Sequence, residues 1–214
     1  STSSIYKSNK FKLVSLEEIN ELYYIVRDKL KAFHNINNED TVINDIVLKK
    51  KLNKDSKIIY FGDYHSSVHS LITAIEDLKK KEILDNEYKL KKDYYIVFLG
   101  DIVDRGPYGI ECFYIVLLLF LINNKSEYRL FILNGNHEEK KVYSEYGLSN
   151  EMDHQFKYIN YNNLEKILEY LPLALFIKSN DNEQDDKDYL LKKIDYDKNL
   201  VTSSKSSNDD KMNI

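Results

Sequence analysis

The order of apolar and polar positions divides the chain into a helical beginning, an alternating middle and a polar end. From Leu13 to about Leu52 the repeat is helical. Leu16, Ile19, Leu22, Tyr23 and Val26 recur at three- and four-residue steps, and Ser15 ahead of Glu17 and Glu18 is placed to cap the first turn. Ile43, Ile46, Val47 and Lys50 predict a second, short helix. The middle changes period. Runs at Lys57–Phe61, Tyr94–Leu99 and Arg129–Leu133 read as buried strands, followed by helical spacing over Ser67–Lys81, over Tyr108–Asn123 and from near Glu138. A helix over Leu164–Tyr170 stops before Pro172, and Leu173–Ile177 reads as a fourth strand. Strands and helices in this alternation predict βαβ units and a largely parallel sheet, an α/β architecture whose ligands bind beyond the carboxyl ends of the strands. From Lys178 the chain turns acidic and lysine-rich, without glycine, proline or histidine. Apart from a short strand at Tyr189–Leu191, that composition predicts a disordered tail. The expected organisation is a helical segment over 1–56, an α/β domain over 57–177 and a polar tail over 178–214.

Composition narrows the functional classes. With 214 residues and 43% hydrophobic content there is room for one domain with a substantial core. A net charge of −4 with no long basic block argues against a nucleic-acid partner, because such binding rests on lysine and arginine neutralising phosphates. The longest apolar run, Cys112 to Ile122, falls short of the roughly 20 residues that span a bilayer, so no membrane partner is expected. The single cysteine, Cys112, excludes an internal disulfide. Ser1–Lys10 lacks the apolar stretch of a signal peptide, so a cytoplasmic location is the expectation, with secretion by other signals left open.

Chemistry concentrates at the strand ends. Of six glycines, Gly62, Gly100, Gly106 and Gly135 lie in three segments, Gly62-Asp63-Tyr64-His65, Gly100-Asp101-Ile102-Val103-Asp104-Arg105-Gly106 and Gly135-Asn136-His137-Glu138. Asp63 and His65 alternate and can converge on one metal ion. Asp101, ending the next strand, can reach the same point, and its two oxygens make it the natural bridge to a second ion, for which Asn136 offers an amide oxygen. Two divalent ions roughly 3.5–4 Å apart clamp the attacking and leaving oxygens of a phosphoryl transfer. His137 is then free as general acid toward the leaving oxygen, with Asp104 favouring its imidazolium and holding its tautomer. Arg105 supplies a permanently charged fork for phosphate oxygens. His69, four residues from His65, reads as a helix residue near the site, and His34 and His154 as structural.

These segments, reading GDYHSS, GDIVDRG and GNHE, resemble the phosphoprotein phosphatase family of calcineurin-like metallophosphoesterases. Arg105-Gly106-Pro107-Tyr108, Ile110-Glu111 and Leu171-Pro172-Leu173-Ala174 extend the likeness over Lys57 to Ile177. The resemblance implies the first half of an αββα sandwich preceded by a small helical segment. It implies Asp63, His65, Asp101 and Asn136 as metal ligands, Arg105 as a phosphate contact and Asp104–His137 as the acid pair. It further implies two divalent metal ions, manganese first, with iron or zinc as alternatives, and serine/threonine phosphoproteins as substrates.

The chain also departs from the family pattern. Members complete the second metal site with two later histidines, the first in an HGG segment, and no histidine follows His154 here. Asp185, Asp186 and Asp188 are weak substitutes in a charged stretch. Ser66 stands where the family has glycine, and Asn134 where it has arginine. Two readings of different class follow: a metal-dependent phosphatase, or a truncated relative that binds metal or phosphoprotein without turnover. A hydrolase of small phosphate esters or dinucleoside polyphosphates ranks third, since such relatives tend to carry glutamine at the place of His65.

Overall fold

The computed structural model describes residues 15–34, 42–43, 47–155 and 161–179; the acidic segment and tail expected after 179, and Ile46 of the expected second helix, lie outside them. Helix α1 (Leu16–His34) opens with a reciprocal cap. Ser15 Oγ accepts the Glu18 N–H at 3.2 Å, and Glu18 Oε2 accepts the Ser15 N–H at 2.9 Å. Its face of Ile19, Leu22, Tyr23, Val26 and Leu30 enters the main core.

Three parallel strands carry the site. β3 (Lys57–Phe61), β4 (Tyr94–Phe98) and β5 (Leu130–Ile132) pair in that order, with Tyr60 opposite Val97 and Phe98 opposite Ile132. They are joined by α2 (Val68–Lys80) and α3 (Gly109–Asn123). β4 and β5 are apolar throughout because both their faces are covered, whereas β3 leaves Lys57 and Tyr60 exposed. Ile96, Phe98, Leu130 and Ile132 meet the helices, whereas Tyr95, Val97, Phe131 and Leu133 meet a second sheet. After β5 come a 3-10 turn (Asn136–Glu138), α4 (Lys140–Tyr146), α5 (Leu148–Gln155) and α6 (Tyr161–Glu169).

Two expectations are corrected by that second sheet. The short helix expected over Ile43–Lys50 is replaced by strands β1 (Val42–Ile43) and β2 (Val47–Leu52), paired antiparallel. The strand expected at Leu173–Ile177 is β6 (Ala174–Ser179), and it joins β2 in parallel rather than extending the site-bearing sheet. Leu48 and Leu52, with Leu175 and Ile177, pack face to face on the β4–β5 surface. The result is an α/β architecture with two sheets back to back and helices over the site-bearing one. Among the described residues no helix is long and apolar enough to cross a membrane.

Candidate active site

All three glycine-containing segments lie just past the carboxyl ends of β3, β4 and β5, and their backbones are stitched together. The Asp101 carbonyl accepts N–H groups from Tyr64 and His65, each at 3.0 Å, and the Ile102 carbonyl accepts that of Ser66 at 2.9 Å. These bonds tie the first loop to the second. The second is tied to the third by Glu138, whose carboxylate accepts N–H groups from Asp101 (2.8 Å), Ile102 (2.9 Å) and Gly135 (2.9 Å). Glu138 is 2% exposed. Burial pushes its carboxyl pKa up, Asp101 adds to the rise, and the three N–H bonds oppose it. Sequence reasoning named Glu138 without giving it a task; its place beside His137 on the turn after β5 was the available signal.

Close approach of the loops explains the glycines. A Cβ on Gly135 would sit 2.2 Å from Asp101 Oδ1, and one on Gly100 would sit 2.3 Å from the Gly135 nitrogen, with Gly100 at φ +102°. Several side-chain-bearing residues take positive φ as well: His65 (44°), Ser66 (64°), Asp101 (51°), Asp104 (67°) and Arg105 (63°). Such conformations cost about 1–3 kcal/mol each and persist where the surroundings over-determine them. Ser66, in the family's glycine position, accepts this geometry, and its Oγ donates to the Asp104 carbonyl at 3.0 Å.

The donor atoms of His65, Asp101 and His137 lie within 4.8 Å of one another. His65 Nδ1 faces the Val103 carbonyl at 3.4 Å, which leaves Nε2 toward the cluster. Asp63 sits at its open side, with Oδ2 3.7 Å from His65 Nε2 and a side chain 64% exposed. Asp101 Oδ1 accepts the His137 N–H at 3.0 Å. Asn136 is exposed at the start of the 3-10 turn. His69 is exposed on α2, away from the described cluster. Imidazole and carboxylate gathered between loops too close to admit a Cβ suit a divalent transition metal, so the donor set fits one.

Beside this cluster, Asp104 and His137 form a buried pair. His137 Nδ1 donates to Asp104 Oδ2 at 2.9 Å, and Asp104 Oδ1 accepts the Leu148 N–H at 2.8 Å. Arg105 Nη2 lies 3.1 Å from His137 Nε2. A guanidinium only donates, so Nε2 accepts here and Nδ1 is the nitrogen that donates to Asp104. The Tyr146 ring meets that of His137 edge-on at 5.4 Å. Neither Tyr146 nor Leu148 was singled out from sequence, and nothing in local spacing marks them. Asn134 ties its N–H to the Pro172 carbonyl at 2.8 Å, while its Oδ1 is buried with no partner among the described residues.

Residues 56–211 match the family described as calcineurin-like phosphoesterase. The serine/threonine-protein phosphatase 4 catalytic subunit of Kluyveromyces lactis is 30% identical over 126 residues, covering 58% of this chain and 37% of that protein. The protein of the same name in Saccharomyces cerevisiae is also 30% identical over 126 residues, with the same coverage. A solved protein serine/threonine phosphatase from Saccharomyces cerevisiae, with similarity to human phosphatase PP5, superposes with a TM-score of 0.57 at 20% identity, over 77% of this chain and 45% of that one. At that identity the likeness speaks for the fold. The chain spans little more than a third of the length of the two sequence relatives. A family match that starts one residue before β3 and takes in all three strand-end loops agrees with the fold, and the chain belongs to the calcineurin-like phosphoesterase family.

Proposed function

We propose that this chain carries a phosphoric monoester hydrolase site, acting on phosphoserine and phosphothreonine in proteins. The observation that carries the reading is the contact of a buried acid pair, Asp104–His137, with both Arg105 and the donor cluster of His65 and Asp101. Divalent ions, manganese first, held by His65, Asp101, Asp63 and Asn136, would supply Lewis-acid charge beside the phosphoryl group. Arg105 turns its fork from His137 to two phosphoryl oxygens, where it matches their geometry and charge. In the charged form of its ring, His137 delivers the Nε2 proton to the departing alkoxide while the oxygen of a water bonds to phosphorus and the ester P–O bond breaks, releasing the alcohol and phosphate. Asp104 holds the ring through Nδ1 and stabilises its charged form before transfer. Catalysis of this kind is mostly positioning and electrostatics, and the stitched loops supply positioning.

A second reading, metal or phosphoprotein binding without turnover, is favoured by the donor set: among the described residues His65, Asp101 and His137 form one cluster, enough for a single ion. Phosphate release from a phosphothreonine peptide, with and without manganese, tests both. The expected result is manganese-dependent turnover, two ions per chain, and loss of activity in His137→Ala and Asp101→Asn. Unchanged rates in those variants sink the mechanism; one ion or none with no turnover supports the binding protein.

A further inference from the structure

Beneath the site lies a buried acid cluster that the chemistry above leaves unused. Glu151 of α5 is 7% exposed, and both its oxygens accept backbone N–H groups from the first turn of α3. Gly109 donates to Oε2 and Ile110 to Oε1, each at 2.9 Å. Tyr108, at the N-cap position, makes no side-chain capping bond, so this helix is capped by a different helix. Glu111, one residue further along α3, lies within hydrogen-bonding reach of Glu151, and its Oε2 is buried with no partner among the described residues. The charge of the same two carboxyls reaches Tyr23 of α1 and Cys112 of α3, and the Tyr23 hydroxyl is likewise buried without a partner among the described residues. Neither is a cation.

Two carboxylates enclosed together repel each other at low dielectric, and one proton shared between them relieves the repulsion. It also turns one oxygen into a donor toward the other carboxyl. The helix N-terminus and its two N–H bonds favour charge on Glu151. Burial outweighs them, Glu111 adds to it, and the Glu151 carboxyl is pushed up to about 7.

The span from Glu151 back to Leu148 links the pair to the site. Leu148 begins α5, and its N–H rests on Asp104, the carboxylate that holds His137. We infer that Glu111 and Glu151 share one proton, and that this proton latches α5 to the start of α3, so that its loss loosens the seat of Asp104. Glu151 acts here as a positioning residue.

The sign of the effect follows from linkage. A carboxyl raised on folding binds its proton more tightly in the folded chain, so its stabilisation is complete below the ordinary value of 4.5 and is lost as pH rises through about 7. Urea unfolding of the full chain from about pH 5 to pH 8 reads this directly and needs no phosphatase activity. The pair should raise the unfolding constant by up to about tenfold per pH unit across that window. Glu111→Gln, whose amide donates to Glu151 in place of the proton, should make that slope shallower, leaving the part that burial of Glu151 sets. Glu138 contributes to both proteins alike, so the difference between them is the readout. A protonated-carboxyl C=O band, assigned by isotopic labelling of glutamate, should be present in the wild type near the low end of the window and diminished in the variant. An unaltered slope in Glu111→Gln, or an undiminished band, overturns the inference. If Glu111→Gln does not fold, Glu151→Gln, whose single amide oxygen keeps one of the two α3 bonds, replaces it under the same criteria.

Discussion

His137 is held from three directions: Asp104 at Nδ1, Arg105 at Nε2 and the Tyr146 ring at its edge. Its backbone N–H rests on Asp101, so His137 and the donor cluster share one carboxylate. Asp104→Asn keeps the size of the side chain and can keep the Leu148 bond, but it removes the charge that stabilises the protonated ring. A fall of about 10²–10⁴ in kcat is expected, the usual contribution of a positioned acid or base. Phosphopeptide turnover beside the thermal midpoint checks this, since the midpoint should move far less than the rate. At this scale Asp63, His65, Asp101, Asp104, Arg105 and His137 come together, because each sits at a fixed offset from a strand end, whereas Asn136 is exposed at the start of its turn. The residues that hold them were less legible. Glu138 works through backbone groups of another loop, and Leu148 through its own backbone N–H, neither of which leaves a pattern along the chain.

The elements that frame the site are set by buried asparagines as well as by apolar faces. Asn124, 1% exposed just after α3, accepts N–H groups from Arg129 (2.8 Å) and Leu130 (2.9 Å) and donates to the Leu130 carbonyl at 2.7 Å. It fixes where β5 begins and therefore where the Gly135–Glu138 turn emerges. Asn124→Ala strands buried groups without partners, at about 1–3 kcal/mol, and the midpoint of urea unfolding should fall accordingly. β2 shows why one element was misread. Its inward positions are Leu48, Lys50 and Leu52, and the lysine hides the two-residue period. Lys50 runs along the Tyr95 ring, 5.8 Å from its centroid, and puts its ammonium 3.1 Å from Glu127. An apolar stem below a solvated head lets a lysine occupy a core-facing place.

Across the whole molecule the two sheets bury a second core between them, separate from the one under the helices. Leu48, 3% exposed, is the point where β2 meets Val97 and Phe131, on the reverse side of the strands that present the site. Leu48→Ala should cost about 2–5 kcal/mol. The midpoint of urea unfolding should fall with its slope unchanged, and a changed slope would mean instead that the sheets no longer unfold together.

Local rules in the chain determined a good deal: the apolar period of the site-bearing strands and their helices, the glycines where loops approach, and the order of aspartate, histidine, asparagine and arginine at three strand ends. These depend on neighbours a few positions apart, so they can be read in one dimension. Tertiary structure alone decided that β6 leaves the site-bearing sheet to pair with β2, that Glu138 binds two loops into one frame, and that Glu111 meets Glu151 under the acid pair. Each of those depends on burial and on groups brought together from distant parts of the chain. The free energy of a hydrogen bond or a shared proton there is set by what surrounds it, and only the folded molecule supplies those surroundings.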